Sequence, residues 1–419
     1  MFRFLHAADI HLDSPLRELE QYDGAPVERI RGASRKAFCN LVDLAIAEKV
    51  SFVLFAGDLY DGDWKDHNTG LFFARQMSRL READIPVFIV AGNHDAASQL
   101  TKTVPFPSNV HFFSTKKPET KQITGCGVAI HGQGFHTRAV TDDLSTLYPE
   151  PIPGLFNIGL LHTSVDGREG HDPYAPCSVN GLLSKQYDYW ALGHVHQREI
   201  LHQEPWIVFP GNIQGRHARE TGPKGATLVT VEERRVISVD HHDLDVLRWS
   251  VCKIDVSGAN SGDEILISIR KKLEQELMKS GSRPIAARIV LVGPCKAHTE
   301  ISVNQDHWIN AIRAVATDLS NGEIWIEKIK FQTQMAVDLE KIIEMDSALG
   351  GLLKSIRDID PNDQIVAELA CEFTDLYRKL PAELGINLID FKTQNPLRAI
   401  IPDVQQMLLA RLLSAGKQP

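Results

Sequence analysis

An α/β fold whose core strands run parallel is what this 419-residue sequence predicts, and three observations carry that reading. Five short apolar runs have the near-continuous hydrophobicity of strands buried on both faces. The first three are separated by stretches with apolar residues three and four apart, as on one side of a helix. Every run ends in polar residues of the kind that bind or move ions.

The elements follow in order. "MFRFLHAADIH" is the first strand; Phe38, Leu41, Val42 and Ala45 mark a helix; "SFVLFAGD" is the second strand. Phe73, Met77 and Leu80 mark the next helix, before a third strand, "IPVFIVAGNHD". This β-α-β-α-β alternation implies crossover helices between parallel strands, and ligands of such sheets gather beyond the carboxyl ends of the strands. "FNIGLLH" and "DYWALGHVH" are two more such strands, and "GATLVTV" and "RRVISVDHHDL" read as closing strands. A new rhythm then begins: "VCKIDV", a helix with Leu266, Ile269, Leu273 and Leu277, "AARIVLVG", a helix with Trp308, Ile312, Val315 and Leu319, and "EIWIEKIKF". That is a small α/β unit of its own. From about Val337 the pattern is helical, with stripes at Val366, Leu369, Phe373, Leu376 and Leu380 and at Val404, Leu408 and Leu412. Three domains result: 1–248, 249–333 and 334–419.

Composition sets outer bounds. Apolar residues make up 43% and charged residues 24%, which is globular and leaves burial unrestricted. No apolar run approaches the roughly 20 residues of a membrane span, and the first strand meets His6 and Asp9 too early for a signal peptide. The expected location is the cytoplasm, with no membrane partner. The six cysteines are widely spaced, which argues against structural zinc and disulfides and for small buried apolar residues. A net charge of −9 gives no global basic footprint, so a nucleic-acid partner would need a local patch or a second protein.

The five strand ends carry the chemistry: Asp9 and His11, Asp58, Asn93 and His94, His162, then His194 and His196. One at a time, each reads as a helix cap or a hydrogen-bonded histidine. Together, burying them without a cation is costly, so a metal centre at the rim of one sheet is expected. In "ADIH" and "GHVH" the paired ligands stand two apart, which in extended chain puts them on one side. Gly57, Gly92 and Gly193 allow tight turns or close backbone approach at the site. Oxygen and imidazole donors without thiolate suit Mn²⁺, Fe²⁺ or Zn²⁺ alike. Eight donors are too many for one ion, so a pair about 3.5–4 Å apart is expected, able to activate water and to neutralise charge on attacking and leaving oxygens.

Asp-x-His, Gly-Asp, Gly-Asn-His-Asp, a lone His and Gly-His-x-His, in that order, resemble the calcineurin-like metallophosphoesterases. "HAADIHL", "AGDLYD", "VAGNHD", "LLHTSV", "ALGHVHQ" and "FPGNIQGR" are similar to the Mre11/SbcD branch of DNA repair exonucleases, and within it to bacterial YhaO-type proteins. The resemblance implies a two-layered β-sandwich flanked by helices (αββα), a small α/β capping domain that helps hold DNA, and a C-terminal helical region that docks an SMC-like coiled-coil ATPase. It implies one ion on Asp9, His11, Asp58 and His196 and another on Asp58, Asn93, His162 and His194, with Asp58 bridging. His94 would contact the phosphoryl group and protonate the leaving oxygen, with Asp95 orienting it.

Two departures stand out: nuclease relatives carry a second histidine where this chain has Asp61, and the Asp-Arg-Gly of phosphoprotein phosphatases is missing. Arg168 and His171, in the long loop after His162, and Arg216 are candidate phosphate contacts. No Walker motif occurs, so ATP dependence belongs to a partner.

The leading expectation is thus a Mn²⁺-dependent phosphodiesterase acting on DNA ends, with endonuclease activity and a homodimer left open. Two alternatives stand beside it: the same chemistry on a nucleotide, cyclic nucleotide or phosphoprotein, and a DNA-end-binding scaffold.

Overall fold

The computed structural model describes residues 1–14, 32–61, 67–97, 106–166, 174–281, 283–336, 348–358 and 407–408. The chain divides into two compact units. One comprises Met1–Val251 with Glu276–Ala287 and Glu323–Glu327; the other comprises Cys252–Gln275, Arg288–Gly322 and Lys328–Pro419.

The first unit opens as the alternation predicts: β1 (Phe2–Ala7), α1 (Ala33–Ala47), β2 (Phe52–Ala56), α2 (His67–Glu82), β3 (Val87–Val90), the short α3 (Asn93–Ala97) and β4 (Val110–Phe112). A second run gives β5 (Glu119–Ile123), β6 (Val128–Gly132), β7 (Phe156–His162), α4 (Val179–Ser184), β8 (Tyr189–Gly193), β9 (Glu199–His202) and β10 (Trp206–Phe209). The closing strands are β11 (Gly225–Glu232) and β12 (Arg235–Asp243). Two six-stranded sheets result, ordered β12-β11-β1-β2-β3-β4 and β5-β6-β7-β8-β10-β9. β1 through β4 are parallel, as are β6, β7, β8 and β10, while β11 and β12 close the first sheet antiparallel.

Why the five runs read as continuously apolar is now visible. Along β1 and β2, Leu5, Val53 and Phe55 pack with Phe38, Leu41 and Phe73 of the helices. The alternate residues Phe4, Phe52 and Leu54 pack instead with Ile130, Ile158, Tyr189 and Val208 of the other sheet. On the far face of the second sheet, Leu161, Trp190, Leu192 and Ile207 are covered by Tyr148, Leu182 and Tyr187. This is the αββα sandwich, and burial of each such large side chain contributes about 1.5–3 kcal/mol. Among the polar groups in its interior, His6 is fully buried, its Nε2–H donating to the Leu192 carbonyl at 3.1 Å and its Nδ1 lying 3.0 Å from the Tyr189 hydroxyl.

Beyond β12 come β13 (Arg248–Asp255), α5 (Gly262–Ser280), β14 (Ile285–Cys295), α6 (His298–Val303), α7 (Gln305–Ser320) and β15 (Ile324–Met335), with a third sheet ordered β13-β14-β15. In α5 the buried stripe is Ile265, Ile269 and Leu273, so Ile265 rather than Leu266 faces inward. In α7, Trp308, Ile312 and Ala316 are buried. A last helix, α8, spans Ala348–Arg357. The stripes Val366–Leu380 and Val404–Leu412 lie outside the described residues, Leu408 excepted. Among the described residues no helix is long and apolar enough to cross a membrane. Cys177, Cys252 and Cys295 are buried; Cys39 and Cys126 are half-buried.

Candidate metal centre

Asp9 and His11 follow β1, Asp58 follows β2, Asn93 and His94 open α3 directly after β3, His162 ends β7, and His194 and His196 follow β8. β1–β3 belong to one sheet and β7 and β8 to the other, so the cluster joins the rims of two sheets and not, as expected from the strand pattern, the rim of one. Glycine permits this approach. A Cβ on Gly193 would stand 1.9 Å from the Ala56 carbonyl of β2, one on Gly92 2.2 Å from Asp58 Oδ1, and one on Gly57 2.4 Å from His162 Nδ1.

The convergence of the Asp-x-His and His-x-His pairs has a different cause from strand alternation. β1 stops at Ala7 and β8 at Gly193, and beyond them Asp9, His11 and His194 have φ of 52°, 45° and 106°; Asp58 has 54°. Left-handed backbone at non-glycine residues costs on the order of 1–3 kcal/mol each, a strain typical of functional sites. It is held by Asp9 N–H donating to the Gly57 carbonyl and His11 N–H to the Asp58 carbonyl, both at 3.0 Å.

Donor atoms crowd together. Asp9, His11 and His196 each offer an atom within 4.8 Å of the others; so do Asp9, Asp58 and His162, and so do His11, Asp58 and His94. The Ala56 carbonyl accepts from His162 Nδ1 at 2.9 Å, which leaves the Nε2 lone pair facing Asn93 Oδ1 at 2.9 Å. Burial holds His162 down at about 3, so no proton fills that gap near neutral pH. His11 Nε2 and His196 Nε2 face each other at 3.3 Å, and burial lowers both imidazoles as well. Asp58 lies between the two groups, with Oδ2 3.8 Å from His11 Nε2 and 3.5 Å from His162 Nε2. Both Asp9 oxygens accept from the His194 backbone N–H, and Oδ1 lies 3.9 Å from His196 Nε2. The His194 ring packs edge-on to His162 at 5.2 Å and to Tyr174 at 5.7 Å. Burial, then the charge of Asp58, raises Asp9 above the ordinary carboxylate range. Lone pairs and buried carboxylates turned on common points are a chemical fit for divalent cations.

His94 stands beside this cluster, its side chain 28% exposed while those of His11 and His162 are 1% and 0% exposed, so it is open to an incoming substrate. Asp95, expected to align it, does something else: its oxygens accept from the Tyr60 N–H at 3.0 Å and the Gly92 N–H at 3.1 Å, tying the turns after β2 and β3 together. The aligning contact comes from Asp61, whose Oδ1 lies 2.8 Å from His94 Nδ1 and 3.3 Å from His11 Nδ1. Burial opposes ionisation of Asp61, but His11, His94 and the Ser14 hydroxyl hold it well below the ordinary range. Burial likewise opposes protonation of His94, and Asp61, followed by the charge of Asp58, raises it nonetheless.

Arg216 reaches the site: its Nη1 is 3.6 Å from Asp61 Oδ2 and 3.3 Å from Ser14 Oγ. Arg168 and His171 lie outside the described residues. Composition and strand pattern gave no sign of Glu220, which contacts His196, because its neighbours in the site are remote in sequence. Asp61 had a signal, its place three residues after Asp58, but orientation is a tertiary property.

An αββα sandwich with this donor set at the strand ends of both sheets defines a calcineurin-like metallophosphoesterase, and the chain belongs to that family. The description "Calcineurin-like phosphoesterase" matches residues 2–198, and "Metallophosphoesterase YhaO, middle domain" matches residues 249–334. The chain is 33% identical to the uncharacterized metallophosphoesterase YhaO of Bacillus subtilis, over 86% of this chain and 88% of that protein. It is 26% identical to the DNA double-strand break repair protein Mre11 of Sulfurisphaera tokodaii, over 70% of this chain and 73% of that one. Among solved structures, a dimetal phosphatase from Danio rerio matches with a TM-score of 0.33 and 12% identity, covering 55% of this chain and 93% of that one. The family hydrolyses phosphoesters at a dinuclear divalent-metal site.

Proposed function

We propose that the chain is a dinuclear, Mn²⁺-dependent phosphodiesterase that hydrolyses DNA phosphodiester bonds at DNA ends, as the nuclease subunit of a complex with an SMC-like coiled-coil ATPase. The observation that carries the chemistry is the convergence of Asp9, His11, Asp58, His162 and His196, with Asn93 against His162 and an accessible, Asp61-held His94 beside them. The likeness to Mre11 proteins supports the DNA substrate and the ATPase partner. The α/β region after residue 248 supports a substrate larger than a nucleotide.

In this reading Asp9, His11, Asp58 and His196 hold one ion and Asp58, Asn93, His162 and His194 the other. Bound there, the pair would lower the pKa of water and screen the phosphoryl charge. The residues do the remainder. Asp58 and Asp9 fix the spacing of the donors from the two sheets. Arg216 draws in the phosphate. His94 Nε2–H, its ring held through Nδ1 by Asp61, gives its proton to the departing oxygen, a contribution on the order of 10²–10⁴-fold.

The test incubates the protein and Mn²⁺ with end-labelled linear duplex, closed circular duplex, a phosphopeptide and bis-p-nitrophenyl phosphate, for wild type and His94→Gln. Shortening of the linear duplex from its ends, lost in His94→Gln, is expected. Cleavage confined to the phosphopeptide overturns the DNA assignment, and cleavage of nothing overturns the enzyme.

A further inference from the structure

We propose that Glu220 is a positioning residue for the metal centre: by accepting the Nδ1 hydrogen of His196 it aims the Nε2 lone pair of that histidine inward, and it anchors Arg216 with the same carboxylate. The inference rests on the dinuclear reading above.

Glu220 is buried, and Oε1 lies 2.6 Å from His196 Nδ1. Oε2 accepts from Asn212 Nδ2 at 2.8 Å and from the Arg216 backbone N–H at 2.7 Å. Arg216 Nε and His217 Nε2 stand 3.8 and 3.5 Å from Oε1. A carboxylate is the side chain that accepts from His196, Asn212 and the Arg216 backbone at once while facing two further cationic groups. Because Oε1 can only accept, the hydrogen of a neutral His196 sits on Nδ1, and Nε2 is left to donate its lone pair.

The carboxylate is held rigidly. Its loop is stitched to the segment before β13 and to the start of that strand by Gln214 Nε2–H to the Leu247 carbonyl at 2.6 Å, Val246 N–H to Gln214 Oε1 at 2.9 Å, and Trp249 Nε1–H to the Gly215 carbonyl at 2.9 Å. Lys224 Nζ donates to the His196 carbonyl at 2.8 Å, so both the ring and the backbone of His196 are fixed from one side. An anion behind an imidazole ligand raises its basicity and fixes its tautomer, and removing such a partner typically costs 10–100-fold in metal affinity.

Glu220→Gln keeps the volume but breaks the pattern. If its amide nitrogen faces His196, two donors meet, or the ring flips its hydrogen to Nε2 and stops ligating. If its amide oxygen faces His196, the nitrogen meets the Asn212 and Arg216 donors. Calorimetric Mn²⁺ titration of the full chain is expected to show two sites in wild type. In Glu220→Gln one of them should be weakened 10–100-fold and the other unchanged. In a His196→Asn background the same change should have no further effect on Mn²⁺ affinity, which a merely structural role would not produce. Should Glu220→Gln fail to fold, ¹⁵N-histidine spectra of the metal-free wild type decide: His196 is expected as the Nδ1–H tautomer. Unaltered affinity in Glu220→Gln, an equal loss in the His196→Asn background, or an Nε2–H His196 overturns the inference. Fewer than two ions on wild type instead overturns the dinuclear reading on which it rests.

Discussion

Replacing Asp61 by Asn isolates how much of the catalysis comes from holding one imidazole. The change is nearly isosteric, and it converts the 2.8 Å contact between Asp61 Oδ1 and His94 Nδ1 from a charge-assisted bond to a neutral one. Hydrogen bonds to a charged group are worth about 1.5–3 kcal/mol. At 1.36 kcal/mol per tenfold, loss of that term from the transition state lowers kcat by roughly 10- to 150-fold. The loss should depend on the leaving group. An alkoxide of DNA needs a proton to depart, whereas a p-nitrophenolate leaves with little help, so the variant should be impaired more on a dinucleotide than on bis-p-nitrophenyl phosphate. The assay is the rate of both substrates under saturating Mn²⁺, for wild type, Asp61→Asn, His94→Gln and the double variant. Because Asp61 acts through His94, the double variant should be no slower than His94→Gln alone. Since Asp61 also faces His11 at 3.3 Å, Mn²⁺ stoichiometry is measured alongside and should stay at two. Equal losses on the two substrates, or additive losses in the double variant, would refute the reasoning.

Three further outcomes follow from the geometry. Gly92→Ala would place a methyl 2.2 Å from Asp58 Oδ1; overpacking of this kind costs about 1–3 kcal/mol, and bound Mn²⁺ measured by elemental analysis should fall below two per chain. Mn²⁺ at about a hundred times its Kd should stabilise the chain by about 2.7 kcal/mol for each bound ion relative to protein in chelator; melting curves should show this shift in wild type and lose most of it in Asp58→Asn. Buried His6 has a folded pKa of about 3 against 6.5 unfolded, so between those values the unfolded chain binds more protons. Its stabilising contribution is therefore complete above about pH 6.5 and lost as pH falls, by about 1.4 kcal/mol per unit; urea midpoints at pH 7 and pH 5 should differ more for wild type than for His6→Gln.

The sequence by itself determined a good deal. Strands buried on both faces must be apolar throughout, so "FVLFA" and "FNIGLLH" announce themselves without a structure, as do the buried helix positions Phe38, Leu41 and Phe73. The candidate ligands were legible for the same reason: polar groups at the ends of such runs have no other use that repeats five times. The tertiary structure decided what depends on packing between distant segments. It divided the five ends between two sheets, and it turned Asp9, His11 and His194 inward by left-handed backbone in place of strand alternation. It gave His94 to Asp61 and left Asp95 to bind backbone N–H groups, and it brought Glu220 behind His196. Local pattern records which face of an element is buried, because burial acts on each residue separately. Which carboxylate meets which imidazole depends on how loops from different strands come to rest against one another, and no spacing within a single segment encodes that.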